Sequence, residues 1–106
     1  MRRRWARPVL RQIRGLATQQ LVRFTLKAFQ ELAHLSMGLD EEDACDVLAN
    51  LTPSDLVGRL VSEKTGEWMY VFKPSICGTV VYVKVVLRAD CIVISFHEEE
   101  ESDENE

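Results

Sequence analysis

Two runs rich in β-branched residues stand either side of a two-residue break near the end of this chain: Thr79 to Arg88, then Ala89-Asp90, then Cys91 to His97. Runs of this composition form strands, and two of them this close pair as an antiparallel hairpin. A loop centred between Ala89 and Asp90 pairs Arg88 with Cys91, Lys84 with Ser95 and Tyr82 with His97. No Gly or Asn supplies a positive φ, so the turn type stays open. Side chains alternate along a strand. One face then carries Val81, Val83, Val85, Leu87, Ile92, Ile94 and Phe96 and is expected to be core. The other carries Tyr82, Lys84, Arg88, Ser95 and His97 among Val80, Val86, Cys91 and Val93. A phenol, two cations, a hydroxyl and an imidazole on one sheet face are either an ordinary solvated surface or an anion site with an acid–base group beside it.

The length of 106 residues fits one domain around a single core. The formal net charge of −4 hides a division. Residues 98–106 hold seven acids and no base, leaving a body with 13 bases, 10 acids and a charge of +3. A mildly basic body suits a polyanionic partner. The competing reading is plain: six arginines between Arg2 and Arg14 form a solvated arm. Cys45, Cys77 and Cys91 have no CxxC spacing and make no even set, which speaks against zinc or a disulfide framework and for free thiols in a reducing compartment. No apolar stretch follows the N-terminal arginines and none reaches transmembrane length, so the expected location is cytoplasmic, with no membrane partner.

In chain order, a helix is expected from Arg7, with Pro8 in its first position and Leu10, Ile13 and Ala17 near one face. Leu21 to Phe24 reads as a short edge strand. Thr25 caps a second helix, whose buried face would be Leu26, Phe29 and Leu32-Ala33 and whose stop is Gly38. His34 is expected at its surface. Asp40 caps a third helix, where Glu41, Glu42 and Asp43 suit the positive end of the dipole and need no metal. Ala44, Val47, Leu48 and Leu51 mark its buried side. Thr52-Pro53-Ser54-Asp55 predicts a single helical turn. Strands follow over 57–62 and 67–73, the second with Trp68, Tyr70 and Phe72 on one face, and Pro74 ends it. Helices followed by a four-strand meander make an α+β fold, with N-terminal helices packed on one face of an antiparallel sheet. The domain spans 7–97, after a flexible basic arm over 1–6 and before a disordered acidic tail over 98–106.

An ordered set of short motifs runs from about Leu10 to His97: Leu10-x-x-Ile13, Val22-Arg23, Leu39-Asp40 with Cys45, and Leu51-x-x-Ser54-Asp55. It continues with Trp68 and Val71-Phe72-Lys73-Pro74, Val81-Tyr82-Val83-Lys84, and Val93-Ile94-Ser95-Phe96. In these the chain resembles the MqsR toxins of bacterial toxin–antitoxin modules. The resemblance implies a RelE-like fold and a metal-independent endoribonuclease that cleaves single-stranded mRNA without a cofactor. It also implies a cognate antitoxin protein encoded by a neighbouring gene. The family's catalytic tyrosine falls on Tyr82. Its C-terminal lysine falls on His97, whose imidazole is suited by type to serve as acid or base. Its lysine on the first sheet strand falls on Gly58, with Arg59 next to it, and its glutamine falls on Met69, which cannot hydrogen-bond as an amide does.

On this reading Tyr82, His97 and Arg59 are catalytic: His97 as general acid, Tyr82 as proton relay or phosphate donor. Lys73, Lys84, Arg88 and Ser95 bind substrate, and no residue binds metal. A one-residue offset puts Arg59 on the opposite face from the lysine it would replace unless a bulge re-aims it. Two alternatives remain. One is a degenerate, non-catalytic member that binds RNA or antitoxin; the other is an interaction domain whose arginine-rich N-terminus docks an acidic partner.

Overall fold

The computed structural model describes residues 3–99. Helix α1 spans Ala6–Thr18, strand β1 Val22–Phe24, helix α2 Leu26–Ala33 and helix α3 Glu41–Ala49. A single 3₁₀ turn at Pro53–Asp55 leads into β2 (Leu56–Val61), β3 (Trp68–Phe72), β4 (Ser75–Ile76), β5 (Thr79–Leu87) and β6 (Cys91–Glu98). The main sheet runs β1-β6-β5-β3-β2, with β4 folded back on β5. The four-strand meander β2-β3-β5-β6 is antiparallel as expected, and the class is α+β. The edge strand β1 adds a parallel pairing with β6, so the complete sheet is mixed.

The helices start where their chemistry says. Thr25 Oγ1 accepts from the Ala28 N–H at 3.1 Å, and Asp40 and Asp43 form a reciprocal capping box at the start of α3. Pro8 falls two residues inside α1 rather than at its first position, still in the turn whose N–H groups have no helical partner. The core gathers Leu10, Ile13 and Ala17 of α1, Ala44 and Leu48 of α3, and Leu51 against Tyr70, Phe72, Val81, Val83, Val85 and Phe96 of the sheet.

Helix α2 departs from expectation. Its buried stripe is Ala28, Leu32 and Leu35, while Leu26 and Phe29 are 72% and 47% exposed. The rotation follows from its position along the β6 edge, beyond the point where β1 stops pairing. There the polar side chains of α2 take the place of a strand. Glu31 Oε1 accepts from the Phe96 N–H at 2.9 Å, and Lys27 Nζ reaches the Ile94 carbonyl at 3.4 Å. Unpaired edge groups are thereby satisfied without a further strand.

The β5–β6 hairpin also corrects the expected facing of β6. Leu87 pairs with Cys91, so the loop is three residues, Arg88-Ala89-Asp90, and the expected Arg88–Cys91 pair is absent. Val85 pairs with Val93, but Lys84 pairs with Ser95, which leaves Ile94 as a bulge. Cys91 and Val93 are therefore fully buried, in place of Ile92 and Ile94, which are half-buried. Burial, with a lesser contribution from Cys45, pushes the Cys91 thiol up to about 12. Beyond the bulge the register returns to the expected one, and Tyr82 faces His97.

Glu31 supplies a test of the edge closure. Burial pushes its carboxyl up, but the Lys27 and Phe96 hydrogen bonds and the charges of Lys27 and His97 outweigh that and leave it below its ordinary value. A carboxyl lowered in the folded state adds stability above its unfolded value and loses it as pH falls through the folded value. Glu31→Ala should cost about 1–3 kcal/mol in urea unfolding, from the stranded Phe96 N–H. Glu31→Gln should unfold with a shallower loss of stability than wild type as pH drops below the ordinary glutamate range. Equal acid slopes would remove Glu31 from this role.

Candidate active site

The sheet register assembles one row of side chains on the face opposite the α1–α3 core. The Val81 N–H donates to the Pro74 carbonyl at 2.9 Å, which carries the β3–β5 register one step past Phe72 and Val83 and sets Lys73 beside Tyr82. Tyr82 in turn pairs with His97. The next row runs Gly58, Val71, Lys84 and Ser95, and the one after it Leu60, Met69, Val86 and Ile92. Tyr82 therefore sits between a lysine and a histidine, with a second lysine two residues along its own strand.

The Tyr82 and His97 rings stack at 5.1 Å between centroids and 15° between planes. His97 Nδ1 lies 2.8 Å from the Glu98 carbonyl oxygen. A carbonyl only accepts, so Nδ1 carries the proton in that bond and Nε2 is the nitrogen left for a second partner. Lys73 Nζ bonds Glu99 Oε2 at 2.8 Å. Glu98 turns away from the row, its Oε2 accepting from Ser36 Oγ at 2.7 Å. The first two tail acids thus have defined partners, and residues 100–106 lie outside the described residues. At the N-terminal end Met1 and Arg2 lie outside them as well, while Trp5 of the expected basic arm packs on Tyr70.

Ser95 belongs to the row by register but is only 3% exposed, and its hydroxyl accepts from Lys27 Nζ at 3.1 Å. It helps hold α2 to the sheet. Arg88 stands apart. It forms a two-bond fork on Glu67, at 2.9 and 2.8 Å, which helps pull the Glu67 carboxyl down to about 2. Six residues of strand separate it from Tyr82, about 20 Å.

Arg59 is also not brought to the row. The bulge in β2 falls at Val57, and Arg59 then pairs with Tyr70, whose ring faces the helices. Its guanidinium lies 3.7 Å from the Trp68 ring centroid and 4.6 Å from that of Trp5. Gly58 does lie in the Lys84 row, and a Cβ built there meets nothing within 4 Å, so the face has open space at that point.

A groove of 470 Å³ borders the row. It is lined by Lys27, Gln30, Glu31 and His34 of the α2 segment and by His97, Glu98 and Glu99. The α2 residues stand at i, i+3, i+4 and i+7, a polar stripe legible in the sequence that the site reading missed. His34 is exposed as expected, with Nδ1 2.7 Å from the Gln30 carbonyl. Among the described residues no three His, Cys, Asp or Glu side chains are grouped to hold a metal ion, and no helix is long and apolar enough to cross a membrane.

Residues 6–98 match the family described as motility quorum-sensing regulator, toxin of MqsA. This chain belongs to that family. The mRNA interferase toxin MqsR of Escherichia coli (strain K12) is 28% identical over 99 residues, which span 92% of this chain and 99% of that one. In this MqsR-family chain Gly58, Met69, Tyr82 and His97, the positions the resemblance singles out, all fall on the one face, whereas Arg59 does not.

Arg59 should therefore behave as a packing residue. Arg59→Ala is expected to lower stability in urea by about 0.5–2 kcal/mol through the loss of two ring contacts. Lys84→Ala should stay within about 0.5 kcal/mol. An Arg59→Ala protein as stable as wild type would overturn the stacking assignment.

Proposed function

We propose that the Lys73–Tyr82–His97 row cleaves single-stranded mRNA without a metal, making the chain the toxin of a toxin–antitoxin module that inhibits translation and growth. The observation that carries this is the stacked Tyr82–His97 pair with Nδ1 of His97 engaged and Nε2 free for proton transfer. Membership of the MqsR family supports the reaction class, and the relative's name, mRNA interferase toxin, supports the substrate.

The strand's 2′-oxygen attacks the adjacent phosphorus, forming an O–P bond as the P–O5′ bond breaks. Tyr82 relays the proton: its oxygen takes the 2′-hydroxyl hydrogen while its own hydrogen passes to a non-bridging phosphate oxygen. The His97 imidazolium gives its Nε2 proton to the leaving 5′-oxygen and regains one from solvent. Lys84 and Lys73 stabilise the charge that builds on the phosphorane. Lys73 pairs with Glu99, so an incoming phosphate competes with that carboxylate for the ammonium.

The partner is an antitoxin of the MqsA kind, encoded beside the toxin gene, and the location is the cytoplasm. A second reading, a non-catalytic binder, is favoured by Gly58 and Met69, which put no hydrogen-bonding side chain where the family has lysine and glutamine. Cleavage of a long single-stranded RNA in EDTA separates the two. Wild type should cut at preferred sites and His97→Ala should cut about 10²–10⁴-fold more slowly. Equal cutting by both would move the chemistry elsewhere. No cutting by either folded protein would leave the binder.

A further inference from the structure

On the other side of the β2 edge, Arg3, Arg7, Arg11 and Arg14 line one groove of 780 Å³, with Pro53, Ser54 and Leu56 as its far wall. Among the described residues no carboxylate lines it. Arg3 Nη2 donates to the Val57 carbonyl at 3.0 Å, and Arg14 Nε donates to the Leu51 carbonyl at 2.7 Å, which fixes the two outer arginines. Arg7 and Arg11, between them, are exposed and have no hydrogen-bond or ion-pair partner among the described residues.

Nothing in the fold's own stability calls for this arrangement. Like charges at i, i+4 repel. The first turn of α1 carries no acid and its start has no side-chain cap, so Arg7 stands at the wrong end of the helix dipole. Helix α3, with Glu41, Glu42 and Asp43 in its first turn, follows the opposite and favourable pattern. A charge pattern that costs the helix stability and meets no anion among the described residues points to one supplied from outside the fold.

The groove also leads to the row already described. Ser54 and Leu56 form its wall, and Asp55 between them accepts the Lys73 N–H at 2.8 Å. Lys73 is the neighbour of Tyr82. A single strand at the Tyr82–His97 row therefore reaches the arginines by turning over the β2 edge. Arg7 and Arg11 are about 6 Å apart along the helix axis, and a guanidinium fork binds phosphate oxygens in pairs.

We propose that the α1 groove is a second track for the RNA backbone, holding phosphates of the same strand outside the cut. This rests on the RNA-cleaving reading. The chemistry recognised is a run of phosphates, not a base sequence.

The test is fluorescence anisotropy with a long unstructured RNA and with one of a few nucleotides, in a His97→Ala background that leaves the probes intact. Arg7→Gln/Arg11→Gln should weaken binding of the long RNA by about tenfold or more and lessen its log–log salt slope by about 1.4, two phosphates at 0.7 each. The advantage of the long RNA over the short one should shrink with it. Arg7→Lys/Arg11→Lys should keep the salt slope, because counterion release counts charges. Unchanged long-RNA affinity and slope in the glutamine pair overturns the proposal, as does a lysine pair that loses as much slope as the glutamine pair. Intact RNA binding with lost co-purification of a co-expressed antitoxin assigns the groove to an acidic protein instead, and also overturns it. Binding does not require cleavage, so failure of wild type to cut RNA in EDTA would sink the proposed reaction while the salt slope still decides the groove.

Discussion

A two-residue turn at Ala89-Asp90 would need positive φ at its first central residue, which Ala89 does not adopt readily. The chain instead makes a three-residue loop, and that choice shifts the β5–β6 pairing by one at the tip. Left uncorrected, a shift of one turns every later side chain of β6 to the wrong face. Ile94 absorbs it. As a bulge it lets Cys91 and Val93 face the core near the tip and still delivers Phe96 to the core and His97 to the opposite face at the far end. The stacked Tyr82–His97 pair depends on that single unpaired residue. A tight turn is made elsewhere, at Cys77-Gly78, where φ is 52° and 82°. There it folds β4 onto β5 and brings the Pro74 carbonyl to Val81, which places Lys73 beside Tyr82.

The same face shows why position in the sheet outweighs residue type. Arg59, Arg88 and Lys73 are all cations on strands or at their ends, and each is a reasonable phosphate ligand by chemistry alone. Arg88 is neutralised by a two-bond fork with Glu67 at the hairpin tip. Arg59 is held between two indoles on the helix side. Lys73 is the one set beside the tyrosine, and the reason is a backbone bond at Pro74.

How much of this was legible in the sequence follows from which interactions are local. Caps, periodicities and alternation are local, and they place the three helices, the 3₁₀ turn and the four-strand meander. The Tyr82–His97 and Lys84–Ser95 pairs were also legible, though for an incomplete reason: the longer loop and the bulge offset one another, and counting from a two-residue turn lands on the same partners. What could not be read was set by contacts across the chain. The rotation of α2 answers to unpaired groups of β6 some 65 residues away. The exchange of Ile94 for Val93 in the core answers to the bulge. The facing of Arg59 was posed by the sequence as a question of register, and only the pairing with Tyr70 decides it. The polar stripe Lys27, Gln30, Glu31 and His34 was visible as spacing, but nothing local says that it borders His97.

The departures from the family's residues then take on a physical meaning. Gly58 removes a side chain from the row of Lys84 and leaves open space, while Met69 replaces an amide with a thioether in the row of Val86 and Ile92. Lys73, Lys84 and His97 thereby gather at one end of the face, around Tyr82, and the β2 end offers apolar surface. Neither Gly58 nor Met69 puts a charge at that end of the face. Arg7 and Arg11 of α1, which have no hydrogen-bond or ion-pair partner among the described residues, lie over the same β2 edge on the opposite side of the sheet. On the proposed reading, phosphate binding is divided between two surfaces that meet at Lys73, and proton transfer falls to His97, whose Nδ1 bonds the Glu98 carbonyl and whose ring stacks on Tyr82.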